Sequence, residues 1–129
     1  MALGKILPAR AASNVLADFG GMPGLTALME TFMVNLLADT RTQSFFAPTD
    51  QKRVKDKLVE QFCALLGGDC EYQGGSMKGI HRGLGITMED FNALVEALQD
   101  AMDKHGIAFR SQNKLLALLA PMHRDIVEK

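Results

Sequence analysis

The stretch GGSMKGIHRGLGIT, residues 74–87, sets five glycines around a single histidine, His81. A segment this rich in glycine costs much backbone entropy to order and brings few side chains to a core. Long irregular connections inside compact domains are usually functional or disordered. The reading of this stretch separates a plain helical bundle from a bundle built around a site.

Four segments flank it, two before and two after, with apolar residues at the i, i+3, i+4, i+7 spacing of a one-sided helix. Residues 25–37 carry Leu25, Leu28, Met29, Phe32, Met33, Leu36 and Leu37, and residues 51–66 carry Val54, Leu58, Phe62, Leu65 and Leu66. Beyond the glycines, 88–103 carry Phe91, Leu94, Val95, Leu98 and Met102, and 111–127 carry Leu115, Leu118, Leu119, Met122 and Ile126. Thr87, followed by Glu89 and Asp90, reads as an N-cap with acids in the first turn, where they complement the helix dipole. Pro121 kinks the last helix or lies close to its end. The joints FGGMPG (19–24) and FFAPTD (45–50) carry turn chemistry, and no segment alternates as a strand does. The expected fold is all-α: two antiparallel helix pairs stacked across each other, with the glycine-rich connection over one face. Residues 1–14 read as a flexible or short helical extension, and 15–129 as one domain of ordinary size.

Charge and cysteines narrow the function. The 14 Lys and Arg against 15 Asp and Glu give a net charge of −1, and the two signs are mixed along the chain, which argues against a nucleic-acid partner. No apolar run reaches membrane-spanning length, and Lys5, Pro8 and Arg10 break up the first residues, so a soluble cytoplasmic protein is expected. Cys63 and Cys70 match neither a zinc pair nor a c-type haem attachment. They are expected to be free thiols in a reducing compartment, with a bridge between them left open.

His81 allows two readings. One is an ordinary loop histidine on a helical domain whose methionine-rich stripes bind another protein. The other is a ligand. The sequence has no nucleophile elbow, no H-E-x-x-H and no paired His/Cys cluster. One chemistry needs only a single protein ligand: haem iron, whose four equatorial positions are filled by the porphyrin. Apolar helices would then supply the dry slot, and basic side chains at its mouth the propionate partners.

Several motifs occur in a fixed order: FGG at 19–21, FFAPTD at 45–50, ALLGG at 64–68, Y-x-G-x-x-M-x-x-x-H from Tyr72 to His81, GIT-x-x-x-F from Gly85 to Phe91, and LAP at 119–121. In this series the chain resembles the group I truncated haemoglobins over residues 15–127. The resemblance implies a two-over-two helical sandwich around haem b and reversible binding of O2, CO or NO in a monomer or weak dimer. It implies His81 as proximal ligand, its other ring nitrogen on a carbonyl, and a haem lined by Phe32, Phe46, Phe62, Met77, Ile86, Phe91 and Val95. Arg53 and Lys57 would pair with the propionates, and Lys57, once deprotonated, is an alternative sixth ligand.

The distal side departs from the family pattern. Where many relatives carry a tyrosine and a glutamine, this chain has Met33, Val54 and Leu58, none of which donates a hydrogen bond, so O2 would be held weakly. Gln61 is the one nearby amide, with a solvent-edge position as its alternative. Relatives also suggest conversion of NO to nitrate with a reductase partner, gas sensing or storage, and a covalent bond from a last-helix histidine to a haem vinyl group. The nearest residue for that bond is His123, in a register shifted by one. His105 reads as a last-turn residue beside a capping glycine.

Overall fold

The computed structural model describes residues 15–129; the extension expected over residues 1–14 lies outside the described residues. The elements are α1 (Val15–Asp18), α2 (Gly21–Ala38), α3 (Gln43–Phe46), α4 (Gln51–Leu65), α5 (Met77–His81), α6 (Met88–Lys104), α7 (Phe109–Leu119), a 3-10 turn (Ala120–Met122) and α8 (His123–Ile126). No strand occurs among the described residues. The all-α expectation holds.

α2 is the central beam. It buries Leu25, Leu28, Met29, Phe32, Met33 and Leu36 and packs against both α4 and α6, which accounts for its nearly continuous apolar sequence. α6 starts on a complete capping box: Thr87 Oγ1 accepts from the Asp90 N–H at 3.0 Å, and the Asp90 carboxylate accepts from the Thr87 N–H at 3.0 Å. That cap contributes about 1 kcal/mol and fixes where the glycine-rich connection ends. The last periodic segment is not one helix. α7 stops at Leu119 and Pro121 sits in the 3-10 turn, because proline cannot donate to the preceding turn.

α4 shows what periodicity alone leaves undecided. Its stripe was expected to be Val54, Leu58, Phe62, Leu65 and Leu66, yet the fully buried residues within the helix are Val59, Phe62 and Cys63. Val54 and Leu58 are only half-buried. The helix therefore has two apolar faces, one towards α2 and one towards a cavity.

The free-thiol expectation for Cys63 and Cys70 is corrected: the two form a disulfide, with Cα atoms 6.2 Å apart. The turn at the end of α4 brings them together. Gly67 adopts a left-handed φ of +85°, and the Gly68 N–H donates to the Cys63 carbonyl at 2.8 Å, a Schellman-type reversal that folds residue 70 back over the helix end. The cysteine-based argument for a reducing compartment falls with this correction. No helix among the described residues is long and apolar enough to cross a membrane.

Candidate functional site

Close-packed cores leave few voids larger than a water molecule, but here α3, α4, α5, the start of α6 and the segment around α8 enclose a cavity of about 310 Å³. That is the size of a ligand site. Phe46 and the α4 residues Val54, Leu58 and Phe62 line it, together with Met77 and His81 from α5, Ile86, and Phe91 and Val95 of α6.

His81 is the last residue of the one-turn helix α5. Ser76 opens that turn, its Oγ accepting from the Gly79 N–H at 3.0 Å. His81 Nδ1 lies 2.7 Å from the Met77 carbonyl oxygen. A carbonyl only accepts, so Nδ1 carries the proton, and in the neutral ring Nε2 holds the lone pair. No group of three His, Cys, Asp or Glu capable of holding a metal occurs among the described residues. His81 is the histidine of the cavity wall, and a metal bound there would draw fewer than three ligands of these types from the described residues.

The cavity wall brings together most residues singled out from sequence: Phe32, Phe46, Val54, Lys57, Leu58, Gln61, Phe62, Met77, His81, Ile86, Phe91 and Val95. Two stand apart. Met33 is only 4% exposed but is not part of the wall, because one residue along α2 turns the side chain about 100° from Phe32. Arg53 sits with Asp50, Lys52, Asp56 and Glu60 around a polar surface depression that Lys57 also borders. His123 meets Phe91 edge-on, ring centroids 6.3 Å apart, and is not itself in the wall. His105 caps the end of α6, with Nε2 2.7 Å from Thr31 Oγ1.

Tyr72, Ile80, Leu84 and Met122 also line the cavity without having been assigned a site role. Three of them lie in or beside the glycine-rich stretch, so its irregular backbone, which defeats periodicity, also hid its inward side chains.

The hydrogen-bond donors lining the cavity are largely committed. Thr42 Oγ1 donates to the Leu36 carbonyl at 2.7 Å, Thr49 Oγ1 to the Phe46 carbonyl at 2.6 Å, and the Tyr72 hydroxyl to the Gly75 carbonyl at 2.8 Å. Lys57 Nζ pairs with Glu60 at 3.3 Å. Glu60 in turn accepts from the Gln73 N–H at 3.1 Å, and this bond, with Lys57 beside it, holds the Glu60 carboxyl below the ordinary glutamate range. Gln61 differs. Among the described residues its Nε2 donates only to two thioether sulfurs, Met77 Sδ at 3.4 Å and Met122 Sδ at 3.6 Å, which are weak acceptors. Its amide is thus the exchangeable donor of the cavity.

Comparison with known proteins gives the same picture over nearly the whole chain. The family model of bacterial-like globins matches residues 14–128. A group 1 truncated haemoglobin, GlbN, of Mycolicibacterium paratuberculosis is 38% identical over 114 residues, covering 88% of this chain and 84% of that protein. The crystal structure of truncated haemoglobin from Tetrahymena pyriformis in its Fe(III) form superposes with a TM-score of 0.85 at 25% identity, over 89% of this chain and 98% of that one. The 2/2 haemoglobin of Synechococcus sp. PCC 7002, at 21% identity and a TM-score of 0.82 over 89% of this chain and 98% of that one, supports the fold alone. A two-over-two helical frame, an apolar cavity with one histidine in its wall, and these matches lead to one assignment: the chain belongs to the bacterial-like globins, as a group 1 truncated haemoglobin, and so to a family of haem-binding, gas-binding proteins.

Proposed function

We propose that the chain binds haem b non-covalently, with His81 Nε2 as proximal ligand, and uses it to bind diatomic gases (O2, CO or NO) reversibly. The observation that carries this reading is His81 itself: a cavity-wall imidazole whose Nδ1 is tied to the Met77 carbonyl at 2.7 Å, so that the remaining nitrogen is the basic one. Haem, when bound, would supply an iron able to take a protein nitrogen and a small gas molecule. The side chains present suit it. Phe46, Leu58, Phe62, Phe91 and Val95 form apolar walls for a flat macrocycle, and Lys57, on the wall and bordering the polar depression, gives a cation for a propionate.

Each polar group then has a defined task. Lys57 is held at 3.3 Å by Glu60, which favours an edge role in pairing a propionate over turning inward as a ligand. Val54 and Leu58 offer a gas molecule no donor, and Gln61 offers an amide that rests on two methionine sulfurs. A wall this poor in donors favours reversible binding over the NO-to-nitrate conversion that needs a reductase. His123 stands outside the wall, consistent with a haem held without a covalent bond.

Titration of the purified chain with haemin tests the reading. The wild type is expected to develop a Soret band saturating at one haem per chain, and His81→Ala to lose the sharp band or bind heterogeneously, with imidazole added to the buffer restoring it. A wild type that takes up no haem, or a His81→Ala protein with an unchanged ferrous spectrum, overturns it.

A further inference from the structure

α5 is a single turn. So short a helix has no stability of its own, because nucleation fixes several residues for one or two hydrogen bonds. The direction of its last residue, His81, must therefore be set by what anchors the two ends. The entry is capped by Ser76. The exit is held by its own backbone only through two long bonds, Arg82 N–H to the Gly79 carbonyl at 3.4 Å and Leu84 N–H to the His81 carbonyl at 3.3 Å; Arg82 is already extended at ψ 135°, and the chain runs on through Gly83 and Gly85, both left-handed, with φ of +81° and +67°.

Those two glycines do not line the cavity, while His81, Leu84 and Ile86, which alternate with them, do. A carboxylate fills the concavity the N–H groups form. Glu128 Oε2 accepts from the Gly83 N–H at 3.0 Å, and Glu128 Oε1 from the Gly85 N–H at 2.8 Å. The backbone seals the same contact: beyond α8 the chain is extended at Val127, and the Glu128 N–H donates to the Ile86 carbonyl at 2.8 Å. Two donors thus face two carboxylate oxygens, a match no neutral side chain reproduces.

We propose that Glu128 is a positioning residue for the proximal histidine, clamping the exit of α5 from behind so that His81 keeps one orientation toward the haem. This rests on His81 being the proximal ligand. Glu128, Gly83 and Gly85 are not among the residues that line the cavity, so the clamp acts on His81 through the backbone. Glutamine at this position accepts from one glycine N–H and presents its own NH2 to the other, so it keeps the shape and loses half of the clamp.

The test uses the haem-loaded full chain as wild type, Glu128→Gln and Glu128→Ala. Haem loss to excess apomyoglobin should speed up roughly 5- to 30-fold in Glu128→Ala, the range for losing a charge-assisted hydrogen bond at the low end of its strength, with Glu128→Gln between. The iron–histidine stretching band of the ferrous, ligand-free protein should broaden or shift in the same order, and amide exchange at Gly83 and Gly85 should accelerate in the haem-free chain. Unchanged haem loss in Glu128→Ala overturns the proposal. So does faster haem loss with an unmoved iron–histidine band, which makes Glu128 a purely structural anchor. A wild type that binds haem but shows no iron–histidine band overturns the assignment of His81 instead, a result distinct from either.

Discussion

Replacing Gln61 by leucine asks what holds O2 in a cavity whose other donors are occupied. The amide of Gln61 spans from α4 to Met77 Sδ and Met122 Sδ at 3.4 and 3.6 Å. Nitrogen-to-thioether bonds are weak, and leucine fills nearly the same volume, so the folded state should change in stability by no more than about 1 kcal/mol. The effect on gas binding is larger if the amide leaves sulfur for the ligand. A hydrogen bond to a strongly polarised group contributes about 1.5–3 kcal/mol. At about 1.4 kcal/mol per decade, its loss raises the O2 dissociation rate roughly 10- to 100-fold. CO is far less polarised and should leave no more than about 3-fold faster, since it draws little on a donor. Stopped-flow replacement of O2 by CO, and of CO by NO, in wild type and Gln61→Leu measures both rates. An O2 rate that stays within 2-fold of wild type, or O2 and CO rates that rise together, refutes a donor role for Gln61 and leaves the distal side wholly apolar.

The Cys63–Cys70 bridge closes a short loop with a sequence separation of 7. Alkylation of the denatured, unreduced protein should label no thiol, and phosphine reduction should lower unfolding stability by about 2.5 kcal/mol on the loop-entropy scale; full thiol labelling before reduction contradicts the bridge. Asp39 has its carboxyl lowered from 3.8 to about 2, first by the Arg41 side chain and then by the Arg41 backbone N–H. A lowered folded-state value contributes stability that is present above the unfolded value and lost as pH falls through the folded one. The wild type should therefore exceed Asp39→Asn by a constant margin above pH 4, and the margin should shrink to nothing near pH 2 in acid-unfolding curves; a margin independent of pH over that range refutes the pairing.

Much of the frame is legible without coordinates. The α2 stripe, apart from half-buried Leu37, and Phe91, Leu98 and Met102 of the α6 stripe fall on buried faces because a stripe at helical spacing leaves water on one side, while Leu94 and Val95 of α6 border the cavity. The Thr87 cap is readable because capping depends on residues only three apart. His81 stands out by elimination, as the one chemistry-bearing residue in a segment too rich in glycine to serve a core. Local rules fail where one helix has two duties. On α4, Val54 and Leu58 follow the same spacing as Phe62, yet they border a cavity, and Val59 and Cys63 take the core. Met33 looks like a cavity residue by its place after Phe32, and one step of helical rotation removes it.

What the sequence determined by itself is the all-helical class, the long helices and the family, because periodicity, capping and motif spacing act over a few residues. The tertiary structure decided which apolar face looks into the cavity, that Cys70 folds back onto Cys63, that Gln61 meets two methionine sulfurs, and that Glu128 reaches Gly83 and Gly85. Each of these joins groups from different parts of the chain or depends on a turn of the backbone. No local pattern encodes such meetings, since they depend on how already formed helices come to rest against each other.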